Sequence, residues 1–218
     1  MRLLIAFLLA WAALAAAPEP KGPLSRDLGQ GLLYVRARSL PADLPLAPTK
    51  PAPLVLDLRF ATGGEDAATA LRDWIGFRAT TRTPVFVLVN GATSRDVLDY
   101  LEQAPPHAGL LTIGLASSRF VPDIALTTEA ATDRAAYEAL DHGATVESLV
   151  TDQPDKPRHD EAEAVREHAI SPESVDDSGA ELTDTPDPAA PPPPAPLIDS
   201  VLQRAIHLHR ALLALKKI

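Results

Sequence analysis

The chain has 218 residues with a formal net charge of −9, and 46% of them are hydrophobic, enough for one sizeable core plus tails. Cysteine is absent, which excludes disulfides, thiolate metal sites and a cysteine nucleophile. Between Thr151 and Asp187 there are 12 acidic and 3 basic residues, so the remainder is near neutral and lacks the basic face that nucleic acid requires.

In chain order, Met1-Arg2 gives a short positive start, and Leu3 to Ala17 is an uncharged apolar run. Ala13-Leu14-Ala15 fits a small-x-small cleavage site, so residues 1–15 read as a signal peptide. The alternative is an uncleaved anchor, although a bilayer span needs roughly 20 residues. Export across a bacterial inner membrane is expected, to the periplasm or beyond. Residues 16–30 read as a polar linker. Gly31 to Leu40 (GLLYVRARSL) reads as a strand, and Pro41 to Pro53, with five prolines, as a loop.

Leu54 to Leu58 is a short continuous apolar run, the pattern of a strand buried on both faces. Thr62-Gly63-Gly64 breaks it. Glu65 to Phe77 carries Ala68, Leu71, Trp74 and Ile75 at helical spacing, with acidic Glu65 and Asp66 in the first turn. Val85 to Val89 reads as a second buried strand. Thr93 to Gln103 reads as a helix with Val97, Leu98 and Leu101 inward. Leu110 to Leu115 and Ile124 to Leu126 read as further strands, and Thr132 to Leu140 as a helix. Strands alternating with helices at this spacing predict an α/β fold with a mostly parallel sheet over residues 31–150.

Residues 151–196 are acidic and Ser/Pro-rich and end in a run of prolines. Their composition cannot pack a core and predicts disorder, with a short helix around Asp160 to His168. Residues 197–218 form an amphipathic C-terminal helix, with Ile198, Val201, Leu202, Ala205, Leu208, Leu212 and Leu215 at three- and four-residue steps. It either docks on the domain or binds a partner or its own copy, giving a homo-oligomer. Its polar face is too weakly basic for a membrane surface.

The order of these elements resembles the tail-specific, or C-terminal processing, serine proteases. Gly31 to Leu40 is similar to the family's Gly-Tyr-Ile-Arg strand, and Leu54 to Gly64 to its Asp-Leu-Arg strand ending in Gly-Gly. Pro84 to Asn90 is similar to its valine-rich strand ending in Asn, and Leu111 to Gly114 to the next strand. Val150 to Asp155 and Leu197 to Leu212 are similar to its Gly-Val-x-Pro-Asp stretch and closing helix. The resemblance implies a crotonase-like core of ββα type, without room for a PDZ module.

The family's chemistry is a Ser-Lys dyad, in which a neutral lysine takes the proton of the attacking serine. Backbone N–H groups after the Gly-Gly hold the oxyanion. Gly63 and Gly64 would supply that cradle here; the other reading is a tight turn needing φ > 0. Counted from Asn90, the nucleophile position falls on Arg95, and a one-residue slip puts Ser94 there. Counted from Gly114, the lysine position falls on Phe120, with Arg119 one place before. No lysine lies between Lys50 and Lys156, and a guanidinium cannot serve as the base.

Histidines are the remaining bases. His107 and His142 read as solvated loop residues, and Ser117-Ser118 as turn residues. His207 and His209, two apart on a helix, make a poor metal pair. No metal or cofactor is expected. Arg95 and Arg119, standing where the dyad would stand, would bind an anion such as a peptide carboxylate; the alternative is surface pairing with Asp96, Asp99 or Asp123. The expected function is a catalytically inactive protease-like domain binding a peptide or protein partner, with strand addition at a sheet edge as the natural mode. The alternatives are an active serine hydrolase using Ser94 and a scaffold acting through the C-terminal helix.

Overall fold

The computed structural model describes residues 23–46, 51–151 and 196–218. Six strands form one sheet in sequence order: β1 (Leu24–Asp27), β2 (Leu33–Arg36), β3 (Leu54–Asp57), β4 (Val85–Val89), β5 (Leu110–Leu115) and β6 (Ile124–Leu126). β1 and β2 are antiparallel, and every later pair is parallel. β3 pairs Leu56 with Val87 of β4, and β4 pairs Val87 with Thr112 of β5. Helices α1 (Glu65–Arg78) and α2 (Arg95–Gln103) make the crossovers between β3, β4 and β5. After β6 come α3 (Ala130–Ala139), two 3-10 turns at Leu140–His142 and Glu147–Leu149, and finally α4 (Ser200–Ala214).

The continuous apolar strands follow from burial on both faces. One face carries Leu54, Leu56, Val85, Val87 and Val89 against Leu71 and Ile75 of α1 and Val97, Leu98 and Leu101 of α2. The other carries Tyr34, Val55, Phe86, Leu88 and Ile113 against Val201, Leu202, Ala205 and Ile206 of α4. The fold is therefore a three-layered, mostly parallel α/β sandwich. The strand at Gly114 allows β5 to lie close to β4, because a Cβ there would fall 1.8 Å from the carbonyl oxygen of Val89.

One expectation is corrected. The segment read as a polar linker, residues 16–30, contains β1. Its sequence, LSRD, has no apolar alternation and is mostly exposed, so backbone pairing with β2 holds it rather than side-chain burial. Smaller differences are at ends. The strand expected over Gly31 to Leu40 is regular only from Leu33 to Arg36, α2 begins at Arg95, and α3 begins at Ala130. The C-terminal helix docks on the sheet, but Leu215 lies past its end and is 66% exposed. The expected signal peptide, the acidic Pro-rich segment from 152 to 195 and the short helix expected around Asp160 lie outside the described residues.

Candidate functional site

In open parallel sheets, ligands bind outside the carboxyl ends of the strands. Here those ends carry a buried ionic network. β3 ends on Asp57, and two residues later Arg59 turns back under the sheet end, fully buried. Its Nε and Nη2 donate to Asp57 (3.0 and 2.7 Å), Nη1 donates to Asp133 of α3 (2.7 Å), and both Nη atoms donate to Asp199 (3.0 and 2.8 Å). Asp199 is also the N-cap of α4, accepting from the Leu202 N–H at 3.0 Å. Burial works against the charge on Arg59, but Asp199 and Asp57 overcome it and hold its pKa well above the ordinary value. The guanidinium thus fills the place a cation would take among three carboxylates.

Around this centre, Tyr34 of β2 donates its hydroxyl to Asp57 at 2.8 Å. Burial, reinforced by Asp57, pushes the Tyr34 phenol well up, so it stays a neutral donor. Asn90, at the end of β4, donates to Asp133 at 2.8 Å and accepts from the Ala92 N–H at 3.0 Å. A second tier lies alongside. Arg36 donates to the Tyr137 carbonyl at 2.7 Å and pairs with Asp141, which Arg38 shares. The guanidinium carbons of Arg36 and Arg59 lie 4.5 and 5.5 Å from the Tyr137 ring centre.

A cavity of about 280 Å3 opens beside the network, lined by Phe60, Asn90, Gly91, Leu115, Asp133 and Arg134 among others. Both Asp133 oxygens are occupied, one by Arg59 and one by Asn90, so the cavity floor presents no free carboxylate. Its walls are mostly apolar, with Ser117 and Arg134 as polar exceptions. Arg134 lies 4.4 Å over the Phe60 ring and pairs with Glu138 at 3.3 Å. Phe60 has φ 62°, in the left-handed region, which costs a non-glycine residue about 1–2 kcal/mol. Its ring packs on Tyr137 with centroids 4.8 Å apart, a contact that helps hold it there.

The residues expected from sequence divide into two groups. Gly63, Gly64 and Ser94 come together. Gly64 is the N-cap of α1, and Ser94 the N-cap of α2. The Ser94 N–H donates to the Ala61 carbonyl at 2.8 Å, and its Oγ donates to the Gly63 carbonyl at 2.6 Å. Neither glycine has positive φ, which corrects the strained-turn reading. Gly63 is needed for space, since a Cβ there would lie 2.6 Å from Ala67 Cβ. Beside Gly64, Asp66 and Asp96 bring carboxylate oxygens to 3.4 and 3.8 Å of where its Cβ would be.

Arg95 opens α2 and Arg119 lies in the β5–β6 loop, each with its own neighbours. Arg95 is 70% exposed and pairs with Asp99 at 3.4 Å. Arg119 is exposed in the β5–β6 loop and lines a different cavity, of about 420 Å3, together with His107 and Asp123. Phe120, at the expected lysine position, is buried in the core with the α1 and α2 side chains. The His107 imidazole meets the neighbouring Ala108 carbonyl at 3.1 Å, and His142 is exposed.

Sequence reasoning missed Asp57, Arg59, Asn90, Asp133 and Asp199 as one unit. The available signal was Asp57 and Arg59, charges set inside an otherwise apolar run. Asp133 and Asp199 lie 74 and 140 residues from Arg59 and gave no local sign. No protein-family profile matches the chain, and no curated protein matches it.

Proposed function

We propose that this chain is an exported, catalytically silent relative of the tail-specific serine proteases, on a crotonase-like core, that binds an extended segment of a peptide or protein partner. The support for the core is the run of sequential parallel strands, with α1 and α2 on one face and the Gly-Gly and Ser94 loops meeting at the strand ends. The observation that carries silence is the state of Ser94. Its hydroxyl is spent on the Gly63 carbonyl, and the lysine position is filled by a core phenylalanine. A serine without a base remains a weak nucleophile at neutral pH. Asp66 and Asp96 add to this. Both carboxylates lie beside Gly64, so a negative charge developing near its amide would be opposed by like charge rather than favoured.

The binding surface in this reading is the cavity beside the network. Mostly apolar walls, a floor with saturated polar groups and the cationic Arg134 at its side suit an apolar side chain of a bound segment. The backbone of that segment would pair along the outer edge of β6, the last strand of the sheet among the described residues. The test has two arms. A chain lacking residues 1–15 is incubated with an unstructured protein substrate, with Ser94→Ala in parallel; neither is expected to cleave. Cleavage that disappears in Ser94→Ala overturns the silent reading. In the second arm, peptides captured from an immobilised library are titrated against Phe60→Gly, which keeps the backbone conformation accessible and removes the ring. Affinity is expected to fall at least tenfold, and unchanged affinity would move the binding surface elsewhere.

A further inference from the structure

Helix α4 buries a histidine that the candidate site does not use. His209 is 1% exposed, and its Nε2 has no hydrogen-bond partner. It continues the buried side of the helix, four residues after Ala205 and three after Ile206. The strands beneath, β4 and β5, carry no ionisable side chain. β3 ends on Asp57, and β2 brings Tyr34 and Arg36; Tyr34 bonds Asp57, and Arg36 bonds the Tyr137 carbonyl and Asp141. β1 brings only exposed Arg26 and Asp27. Glu147 and Arg210 line a cavity of about 140 Å3 beside Ile206, and along α4 itself Arg204 is exposed and His207 half-buried. Among the described residues, no carboxylate forms an ion pair with His209.

We propose that His209 makes the docking of α4 acid-sensitive, so that proton uptake at this imidazole releases the helix from the sheet. A neutral imidazole can be buried with Nε2 unpaired at a modest penalty. An imidazolium would place a full charge and an Nε2–H without an acceptor in the same apolar layer. Burial, with the like charge of Arg210 second, holds the His209 pKa below the ordinary histidine value. The undocked form therefore binds protons more readily. Docking is at full strength above about pH 6.5 and weakens as pH falls from there toward the lowered value, the open-to-docked ratio rising by up to about tenfold per pH unit.

The consequence reaches the candidate site. Asp199, the N-cap of α4, stands about 15 Å along the helix from His209 at about 1.5 Å per residue. Opening α4 removes one of the three carboxylates of Arg59, and through Asp133 it loosens the cavity floor.

The experiment compares amide hydrogen exchange of α4 in the full chain and in His209→Leu from pH 8 to pH 5, corrected for intrinsic rates. The network carboxylates are common to both proteins and cancel in the comparison. Expected are matching protection above pH 7 in slope, and below pH 6.5 a loss of α4 protection in the wild type relative to the variant of up to about tenfold per pH unit. Parallel profiles overturn the proposal. An NMR titration of the wild-type imidazole needs no variant: a His209 that titrates at or above the ordinary value overturns it as well.

Discussion

Arg59→Met is the sharpest perturbation the structure offers. It removes the guanidinium that serves Asp57, Asp133 and Asp199 and leaves a side chain of similar length in the same space. The lost bonds include three short ones, to Asp57 and Asp133 at 2.7 Å and to Asp199 at 2.8 Å. Charged hydrogen bonds are worth about 1.5–3 kcal/mol each, and a simple sum over these three, about 4.5–9 kcal/mol, would rival the whole stability of a typical domain. That sum is wrong, because it ignores the desolvation of Arg59, whose side chain is 0% exposed. The relevant figure is the penalty for leaving partners buried without their counter-charge, about 3–5 kcal/mol. Equilibrium urea unfolding at pH 7 should show the midpoint falling by that equivalent with an unchanged slope. A loss below about 1 kcal/mol would refute the reasoning, since it would mean that the network relaxes or hydrates freely.

Two further predictions concern the loops and the second tier. Gly63→Ala should destabilise by about 1–3 kcal/mol, because its Cβ would press on Ala67 at 2.6 Å and Leu40 at 3.2 Å. Gly64→Ala should stay within about 0.5 kcal/mol, since its nearest neighbour is a carboxylate oxygen at 3.4 Å on a rotatable side chain; paired urea midpoints check the contrast. Asp141 is opposed by burial, yet Arg36 and Arg38 hold its pKa below the ordinary carboxylate value. Its contribution is present above the unfolded pKa near 3.8 and is lost as pH falls through the lowered folded value, so Asp141→Asn should be less stable at pH 6 and approach wild type as pH falls below about 3.8 in acid titrations.

What could be read from the sequence and what could not divides along a physical line. β4, β5 and β6 stand where the apolar runs put them, and α1 differs from its expected span by one residue. Those elements are fixed by burial, which leaves a period in the chain. β1 is fixed by backbone bonds at an open edge, and LSRD has no period to read. The same holds at the site. Gly63 and Ser94 each stand just before a helix whose apolar spacing is readable, but their contact at 2.6 Å, across 31 residues, is a product of the fold. The Arg59 cluster was not legible, because its members come from β3, α3 and the cap of α4, and only the closed fold makes them neighbours. Phe120 shows the limit of counting along a motif: it is a core side chain in a position where a resemblance expects a base.

The network also explains how α4 finds one position on the sheet. The apolar contacts of Val201, Leu202, Ala205 and Ile206 are non-directional, and a helix with such a stripe could shift by a turn with modest loss. Asp199 removes that freedom. It caps the helix through Leu202 and receives Arg59 on both oxygens, so its location and orientation are both fixed. A buried ion pair is weak evidence for added stability, and a register-setting role is its best-attested use. On this hypothesis Arg59→Lys is the informative variant. It keeps the charge and loses the fork that serves two carboxylates at once. The expected result is a moderate fall in urea midpoint with a disproportionate loss of near-ultraviolet dichroism and of α4 amide protection, as the helix samples neighbouring registers. A variant that loses stability while α4 stays as well ordered as in the wild type would show that the cluster contributes charge balance alone.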